Sequence, residues 1–124
     1  MICISDKNVL TALSKLKSKL YLPGGKREPN ESDLECLKRE IREELNVEII
    51  EDSIRYFDTF QAPADGKEAD TLVKMTCYFA DYSGTPEAAS EIDSFEWINY
   101  NDIDKTSAVV KLILEKLKEL DLIN

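Results

Sequence analysis

The segment over residues 32–45 constrains the fold most, because its apolar residues recur at helical spacing. When the chain advances about 100° per residue, four apolar side chains fall on one narrow stripe: Leu34, Leu37, Ile41 and Leu45. Ser32 and Glu35 form a capping-box pattern at the start, and Asn46 can adopt the left-handed backbone that ends a helix. We therefore predict a helix over residues 32–45 whose stripe faces a sheet.

Runs of β-branched, aromatic and other apolar residues flank this helix and predict strands. The predicted strands cover residues 1–5, 9–14, 47–50, 54–60, 72–82 and 95–98, with a polar loop over 62–70. A second helix is predicted over about residues 107–120, with a stripe facing the core: Val109, Val110, Ile113, Leu114, Leu117 and Leu120. This order predicts an α/β or α+β domain over residues 1–124, with a sheet between helices.

The composition narrows the classes of function. The formal net charge of −9 disfavours nucleic-acid polymers and anionic membranes as partners. The absence of His excludes Ser-His-Asp and Cys-His catalysis and His-ligated metal sites. Cys3, Cys36 and Cys77 match no zinc spacing, and we expect buried thiols in a reducing compartment. Since no signal peptide or membrane-spanning run is visible in the sequence, we expect a cytoplasmic protein.

An acidic arc lies beside the apolar stripe of the first predicted helix, at Glu40, Glu43 and Glu44. Like charges three and four residues apart destabilise a helix by roughly 0.2–0.5 kcal/mol per pair, so the arc has no structural benefit. Mg²⁺ prefers oxygen ligands of this kind, and Gly24 and Gly25 would let backbone atoms approach a ligand closely. On the clustering alone, a solvated acidic face remains the alternative.

Basic and aromatic residues supply candidate contacts to a substrate. Lys15, Lys17 and Lys19 form a small basic cluster, which is either a solvated loop or a phosphate contact. We take Lys15 and Arg27 as candidate substrate-binding residues. The possible stacking partners are the 62–70 loop, Phe60, Tyr78 and Trp97, although core packing is the more ordinary role for Tyr78 and Trp97.

Residues 25–47 resemble the Nudix box. That motif reads Gly, five residues, Glu, seven residues, Arg-Glu-apolar, one residue, Glu-Glu, one residue, Gly, apolar. This sequence carries Gly25, Glu31, Arg39-Glu40-Ile41, Glu43-Glu44, Asn46 and Val47 at those positions. Asn46 is the one departure, and Asn is the commonest substitute for Gly where a left-handed backbone is required. Met1 falls inside the expected first strand, and many family members begin several residues earlier.

The resemblance implies a Nudix-type α/β/α sandwich, a mixed β-sheet flanked by helices. It also implies hydrolysis of a nucleoside diphosphate linked to another moiety. The metal ligands that it implies for Mg²⁺ or Mn²⁺ are Gly25 through its carbonyl, Glu40, Glu43 and Glu44. Arg39 resembles the arginine that orients these carboxylates, and Glu31 resembles the glutamate that steadies the loop and the helix. The proton of the attacking water would pass to Glu43 or Glu44, or to Glu91 from a later loop.

The resemblance therefore implies Mg²⁺-dependent hydrolysis of a pyrophosphate bond in a small nucleotide, such as a modified nucleoside triphosphate. A nucleotide sugar or a dinucleoside polyphosphate stays open as the substrate, and the chain could be a monomer or a homodimer. One alternative is a catalytically inactive nucleotide-binding sensor with the same fold. Another is a structural interaction domain whose acidic helix is merely solvated. A metal ion bridging two anionic partners would reconcile the acidic chain with an anionic substrate.

Overall fold

A computed structural model describes residues 1–64 and 71–124 of the chain. Within these residues the strands are β1 (Ile4–Ser5), β2 (Asn8–Ser14), β3 (Glu48–Ile49), β4 (Arg55–Pro63), β5 (Leu72–Phe79), β6 (Tyr82–Ser83) and β7 (Ile92–Ile98). The α-helices are α1 (Asp33–Leu45) and α2 (Ala108–Glu119). Short 3-10 turns cover Glu51–Ser53 and Tyr100–Lys105. No helix in the described part of the chain is long and apolar enough to span a membrane.

The strands form a mixed sheet arrangement. β2 lies between β1 and β7 and is antiparallel to both, β4 is antiparallel to β5, and β3 is antiparallel to β6. Ile2 connects two of these groups through a parallel bridge to Phe79. Its backbone N–H donates to the Tyr78 carbonyl at 2.8 Å, and the Ala80 N–H donates to the Ile2 carbonyl at 3.1 Å.

Two apolar clusters lie on opposite sides of these strands, one under each helix. The first joins α2 to β4 and β5 and includes Val110, Ile113, Leu114, Leu117, Phe57 and Phe79. The second joins α1 to the N-terminal strands and includes Leu37, Ile41, Leu45, Met1, Cys3 and Leu10. The predicted α/β architecture, a sheet flanked by helices, is confirmed.

The ends of α1 agree with the sequence patterns. The Glu35 N–H donates to the Ser32 hydroxyl at 3.1 Å, and the Ser32 N–H donates to the Glu35 carboxylate at 3.0 Å. Both halves of the capping box are therefore present. Asn46 has the left-handed conformation, with φ 54° and ψ 39°, as predicted for the helix end.

Two members of the predicted apolar stripes are not buried. Leu34 is 38% exposed, and Cys36 is buried in the first part of α1 instead, because the preceding loop covers it. Leu120 is 50% exposed because it lies just past the end of α2. Cys3, Cys36 and Cys77 are all buried and unpaired, as expected.

Several strand boundaries also differ from the predictions. β4 continues to Pro63, so Ala62 and Pro63 belong to a strand and not to the predicted loop. The predicted strand over 72–82 divides into β5 and β6, and β7 begins at Ile92 rather than at residue 95. Residues 65–70 of the predicted loop lie outside the described residues.

Candidate active site

The guanidinium of Arg39 donates hydrogen bonds to three carboxylates. Its Nε and Nη2 atoms donate to Oε2 and Oε1 of Glu31 at 2.7 and 3.0 Å. Its Nη1 atom donates to Oε1 of Glu40 at 2.7 Å and to Oε2 of Glu43 at 3.3 Å. These bonds use the planar fork of donors that distinguishes Arg from Lys. One side chain thereby connects the loop before α1 to two glutamates of the helix.

The same hydrogen bonds fix the ionisation of the loop glutamate. Hydrogen bonding from Arg39, assisted by the Glu28 backbone N–H, lowers the pKa of Glu31 to about 2. The Glu31 side chain is only 12% exposed, and that of Arg39 is 24% exposed. A charged pair in this setting holds the loop against the first turns of α1.

The carboxylate of Glu40 packs against Gly25. A Cβ atom at position 25 would lie 2.4 Å from both Cδ and Oε2 of Glu40. The Cys36 thiol donates to the Gly25 carbonyl at 3.5 Å. The glycine thus leaves room for the carboxylate, while its own carbonyl lies beside the first turns of the helix.

Glu44 differs from the other two helix glutamates because it is buried, with 5% of its surface exposed. Its Oε1 atom accepts a hydrogen bond from the Gly24 N–H at 2.9 Å. Burial raises the pKa of Glu44 to about 7; the Gly24 bond opposes this shift, and repulsion from Glu40 and Glu91 adds to it. The charge interactions place Glu40, Glu44 and Glu91 in one electrostatic cluster.

A contact that no sequence pattern indicates lies beside the glycine pair. The α-amino group of Met1 donates to the Pro23 carbonyl at 2.6 Å and is buried, which lowers its pKa. A Cβ at Gly24 would lie 3.7 Å from this nitrogen. The partners are 22 residues apart in the chain, so local periodicity could not predict their contact.

The structure brings two further candidate residues together. The Lys15 N–H donates to the Glu91 carbonyl at 2.8 Å, and both residues are exposed. The Ala89 N–H donates to the Glu44 carbonyl at 2.9 Å, which joins the loop before β7 to the end of α1. Arg27 lies elsewhere, at the start of α1, where its Nη1 atom is 3.2 Å from Oδ1 of Asp33.

The groups around Arg39 that could bind a metal ion are carboxylate and carbonyl oxygens. Among residues 1–64 and 71–124, no three carboxylates or thiols are gathered closely enough to hold a metal ion. Arg39 engages Glu40 and Glu43, and one oxygen of Glu44 accepts from Gly24. Hard oxygen donors beside an open glycine suit Mg²⁺ or Mn²⁺. The donor chemistry therefore fits a divalent cation, although Arg39 holds two of the carboxylates in this structure.

A cavity of about 500 Å³ is lined by other residues, with Tyr56 among them. Its lining includes Ile2, Ile4, Arg55, Phe79 and Asp81, and none of the glutamates discussed above. Because it combines apolar walls with a single Arg and a single Asp, it lacks the concentration of charge found around Arg39. The Arg39 cluster is therefore our candidate active site.

The chain is similar to known proteins in sequence and in structure. The sequence matches the family model of the NUDIX domain over residues 1–117, a span that contains the whole Arg39 cluster. No curated protein sequence matches the chain.

Solved structures give a second comparison. The E. coli ORF135 protein is 25% identical, with a TM-score of 0.74 over 97% of this chain and 86% of that one. A MutT NUDIX hydrolase from Burkholderia pseudomallei is 20% identical, with a TM-score of 0.73 over 94% of this chain and 95% of that one. A bifunctional NMN adenylyltransferase/ADP ribose pyrophosphatase from Francisella tularensis, complexed with AMP and a Mn ion, is 21% identical. Its TM-score is 0.69 over 95% of this chain and 39% of that one.

Proposed function

Since the chain belongs to the Nudix family and is a pyrophosphohydrolase, we propose that it cleaves a small nucleotide with the help of a divalent cation. The substrate class that we propose is a nucleoside triphosphate, including modified ones. The observation that carries the proposal is the carboxylate cluster around Arg39, seated on Gly25. The Mn ion in the Francisella tularensis neighbour supports a divalent cation, and we propose Mg²⁺ or Mn²⁺ for this chain.

The proposed ligands are all oxygen donors: the Gly25 carbonyl, Glu40, Glu43 and Glu44. A bound divalent cation would neutralise phosphate charge and lower the pKa of a coordinated water. The chain itself must hold the ligands in place. Gly25 supports this by leaving space for the Glu40 carboxylate, and Gly24 by donating to one oxygen of Glu44 while the other stays available.

Arg39 and Glu31 act in this proposal as positioning residues. Arg39 holds Glu40 and Glu43 on one side of α1 and is itself held by the two oxygens of Glu31. An arginine bound in this way reduces the repulsion among the carboxylates. The mutual orientation of the ligands is then set before any substrate arrives.

We assign proton transfer to Glu91. Its side chain is exposed, whereas Glu44 is buried and has an oxygen committed to Gly24. Its charge raises the pKa of Glu44, so it lies within electrostatic range of the cluster. Lys15, whose backbone is bonded to Glu91, is the proposed phosphate contact on the same side, and Arg27 is a second candidate contact near the start of α1.

The test is release of phosphate or pyrophosphate from a panel of nucleotides, with and without Mg²⁺ or Mn²⁺. The panel holds standard and oxidised nucleoside triphosphates, a dinucleoside polyphosphate and a nucleotide sugar. We expect cation-dependent release from a nucleoside triphosphate. Glu43→Gln, Glu44→Gln and Glu91→Gln should each lower kcat by about 10²-fold or more. Glu115→Gln, on the exposed side of α2, is the matched control and should behave as wild type.

Two results would contradict the proposal. Turnover of a nucleotide sugar or a dinucleoside polyphosphate, but of no triphosphate, would replace the substrate class. Nucleotide binding without turnover of any substrate would indicate the inactive sensor instead.

A further inference from the structure

The paired strands β4 and β5 present two different faces. On one face, Cys77 and Phe79 belong to the apolar cluster under α2. The other face carries side chains of a different kind, which we name the polar face of β4–β5: Tyr56, Thr59, Gln61, Lys74, Thr76 and Tyr78. Tyr78, Thr76 and Lys74 share a face because side chains alternate along β5. Their direct partners are Tyr56, Thr59 and Gln61, and an irregularity in the pairing between Tyr56 and Asp58 puts Tyr56 on the same face as Thr59.

This polar face lies on the same side of the strands as α1. The Tyr78 ring packs against the apolar cluster under α1, and its hydroxyl donates to Oδ2 of Asp33 at 3.3 Å. Asp33 is the first residue of α1 and also binds Arg27 through Oδ1, at 3.2 Å. The loop that supplies the glycine pair and Glu31 thus ends at the edge of the polar face.

The ring of Tyr56 is fixed at both ends and open on one side. It meets the Tyr78 ring edge to face, with centroids 5.7 Å apart and planes at 70°. Its hydroxyl lies 2.9 Å from Oγ1 of Thr59, which comes three residues later on the same face. The ring must therefore lean along the strand, yet 57% of Tyr56 is exposed. A large part of Tyr56 is therefore accessible to a ligand although the ring is held in place.

We propose that Tyr56 is the stacking platform for the planar ring of the substrate, a nucleobase. This inference rests on the proposed function and adds the residue that would hold the base of the substrate. Every base has a flat face that an aromatic side chain can cover, and Tyr binds such faces at low entropic cost. The hydroxyls of Thr59 and Thr76 and the amide of Gln61 lie on the same face, where they can bond the base edge or the ribose.

The chemistry of the polar face separates this substrate class from others. Inorganic polyphosphate has no ring to stack, and the polar face carries one cation, Lys74, among the side chains named above. A diphosphate with a long apolar tail would need an extended apolar surface, whereas the contacts of Tyr56 on this face are the Tyr78 ring and the Thr59 hydroxyl. The exposed apolar Leu72 lies at the far end of the face. The platform therefore matches a flat, polar, hydrogen-bonding group.

The test compares Tyr56→Ala, Tyr56→Phe and Tyr100→Ala with wild type. Tyr100 is also partly exposed but lies in the turn before α2, so its variant is the matched control. Two quantities are measured for each protein: the KM for the nucleoside triphosphate that the wild type hydrolyses fastest, and the Ki of inorganic tripolyphosphate as a base-free competitor. Circular dichroism confirms that each variant is folded.

We expect Tyr56→Ala to raise the nucleotide KM by about tenfold, with kcat and the tripolyphosphate Ki unchanged. Tyr56→Phe keeps the ring and should stay within about threefold of wild type, because stacking needs only the aromatic face. An unchanged KM in Tyr56→Ala overturns the inference. So does an equal rise in KM and in the tripolyphosphate Ki, since Tyr56 would then act on the phosphate site through Tyr78 and Asp33.

Failure of the proposed function is a separate outcome. If the wild type hydrolyses no nucleotide, calorimetric binding of ATP and of tripolyphosphate replaces the kinetics. Weaker ATP binding by Tyr56→Ala, with unchanged tripolyphosphate binding, would then support the platform in an inactive protein. Equal ATP binding by Tyr56→Ala and wild type, or no ATP binding by wild type, would overturn it.

Discussion

The carboxylate of Glu40 occupies the space in which a side chain at position 25 would begin. A Cβ on Gly25 would stand 2.4 Å from Cδ and Oε2 of Glu40, far inside ordinary van der Waals contact. Glu40 is also bound to Arg39 at 2.7 Å, so its carboxylate has little freedom to move away. The glycine therefore sets the position of a proposed metal ligand, in addition to shaping the loop.

This relationship predicts the effect of Gly25→Ala. The methyl group must push the Glu40 carboxylate away by roughly 1 Å, and a misplacement of this size costs about 10²-fold in rate. We expect kcat to fall by that order, with the thermal unfolding midpoint lowered by a few degrees at most. Lys26→Ala, at the adjacent exposed position, is the control and should keep full activity.

A double-mutant cycle isolates the cause. In a Glu40→Ala background the obstructing carboxylate is gone, so Gly25→Ala should no longer lower the unfolding midpoint. If Gly25→Ala destabilises both backgrounds equally, the clash with Glu40 is not the reason for the glycine.

Local features of the site were readable from the sequence because their causes are local. The capping box of Ser32 and Glu35 and the left-handed Asn46 depend on residues within one helical turn. The arc of Glu40, Glu43 and Glu44 follows from helical periodicity alone. Periodicity did not anticipate the different environments of these glutamates, since Glu44 is buried by segments distant in sequence.

Long-range contacts explain the incorrect and missing predictions. Leu34 was expected to be buried and Cys36 was not assigned to the stripe, because the loop that covers Cys36 reaches it through tertiary structure. The Tyr78 hydroxyl meets Asp33 across 45 residues of chain. Neither contact has a signature in the spacing of residues, and both depend on how the sheet and α1 pack together.

The bond between Arg39 and Glu31 predicts a dependence of stability on pH. It lowers the pKa of Glu31 from its ordinary value of 4.5 to about 2. Between these values the unfolded state binds more protons than the folded state. The stabilisation from Glu31 is therefore complete above about pH 4.5 and is lost as the pH falls toward 2.

We accordingly expect Glu31→Gln to be less stable than wild type at pH 7, and the difference to shrink at pH 3. Urea unfolding midpoints at pH 7, 4.5 and 3 measure this difference. Glu28→Gln is the matched control, because the Glu28 carboxylate is 65% exposed and lies 3.8 Å from Nη1 of Arg39. A difference that stays constant with pH would show that ionisation of Glu31 is not the source of its contribution.

Asn46 provides the last prediction, because it holds a backbone conformation that glycine adopts more easily. Its φ is 54° and its backbone N–H donates to the Arg42 carbonyl at 3.0 Å, a bond that any residue except Pro can make. Asn46→Gly removes the energetic cost of the left-handed conformation. It also raises the conformational entropy of the unfolded chain, which opposes folding. We expect it to raise the free energy of unfolding by roughly 0.5 kcal/mol and to leave kcat unchanged. Asn46→Ala should lower that free energy by about 1 kcal/mol, since Ala has neither the freedom of Gly nor the local bonding of Asn. Urea denaturation of the three proteins measures these differences in the free energy of unfolding. A less stable Asn46→Gly variant would mean that the Asn46 side chain itself stabilises the end of α1.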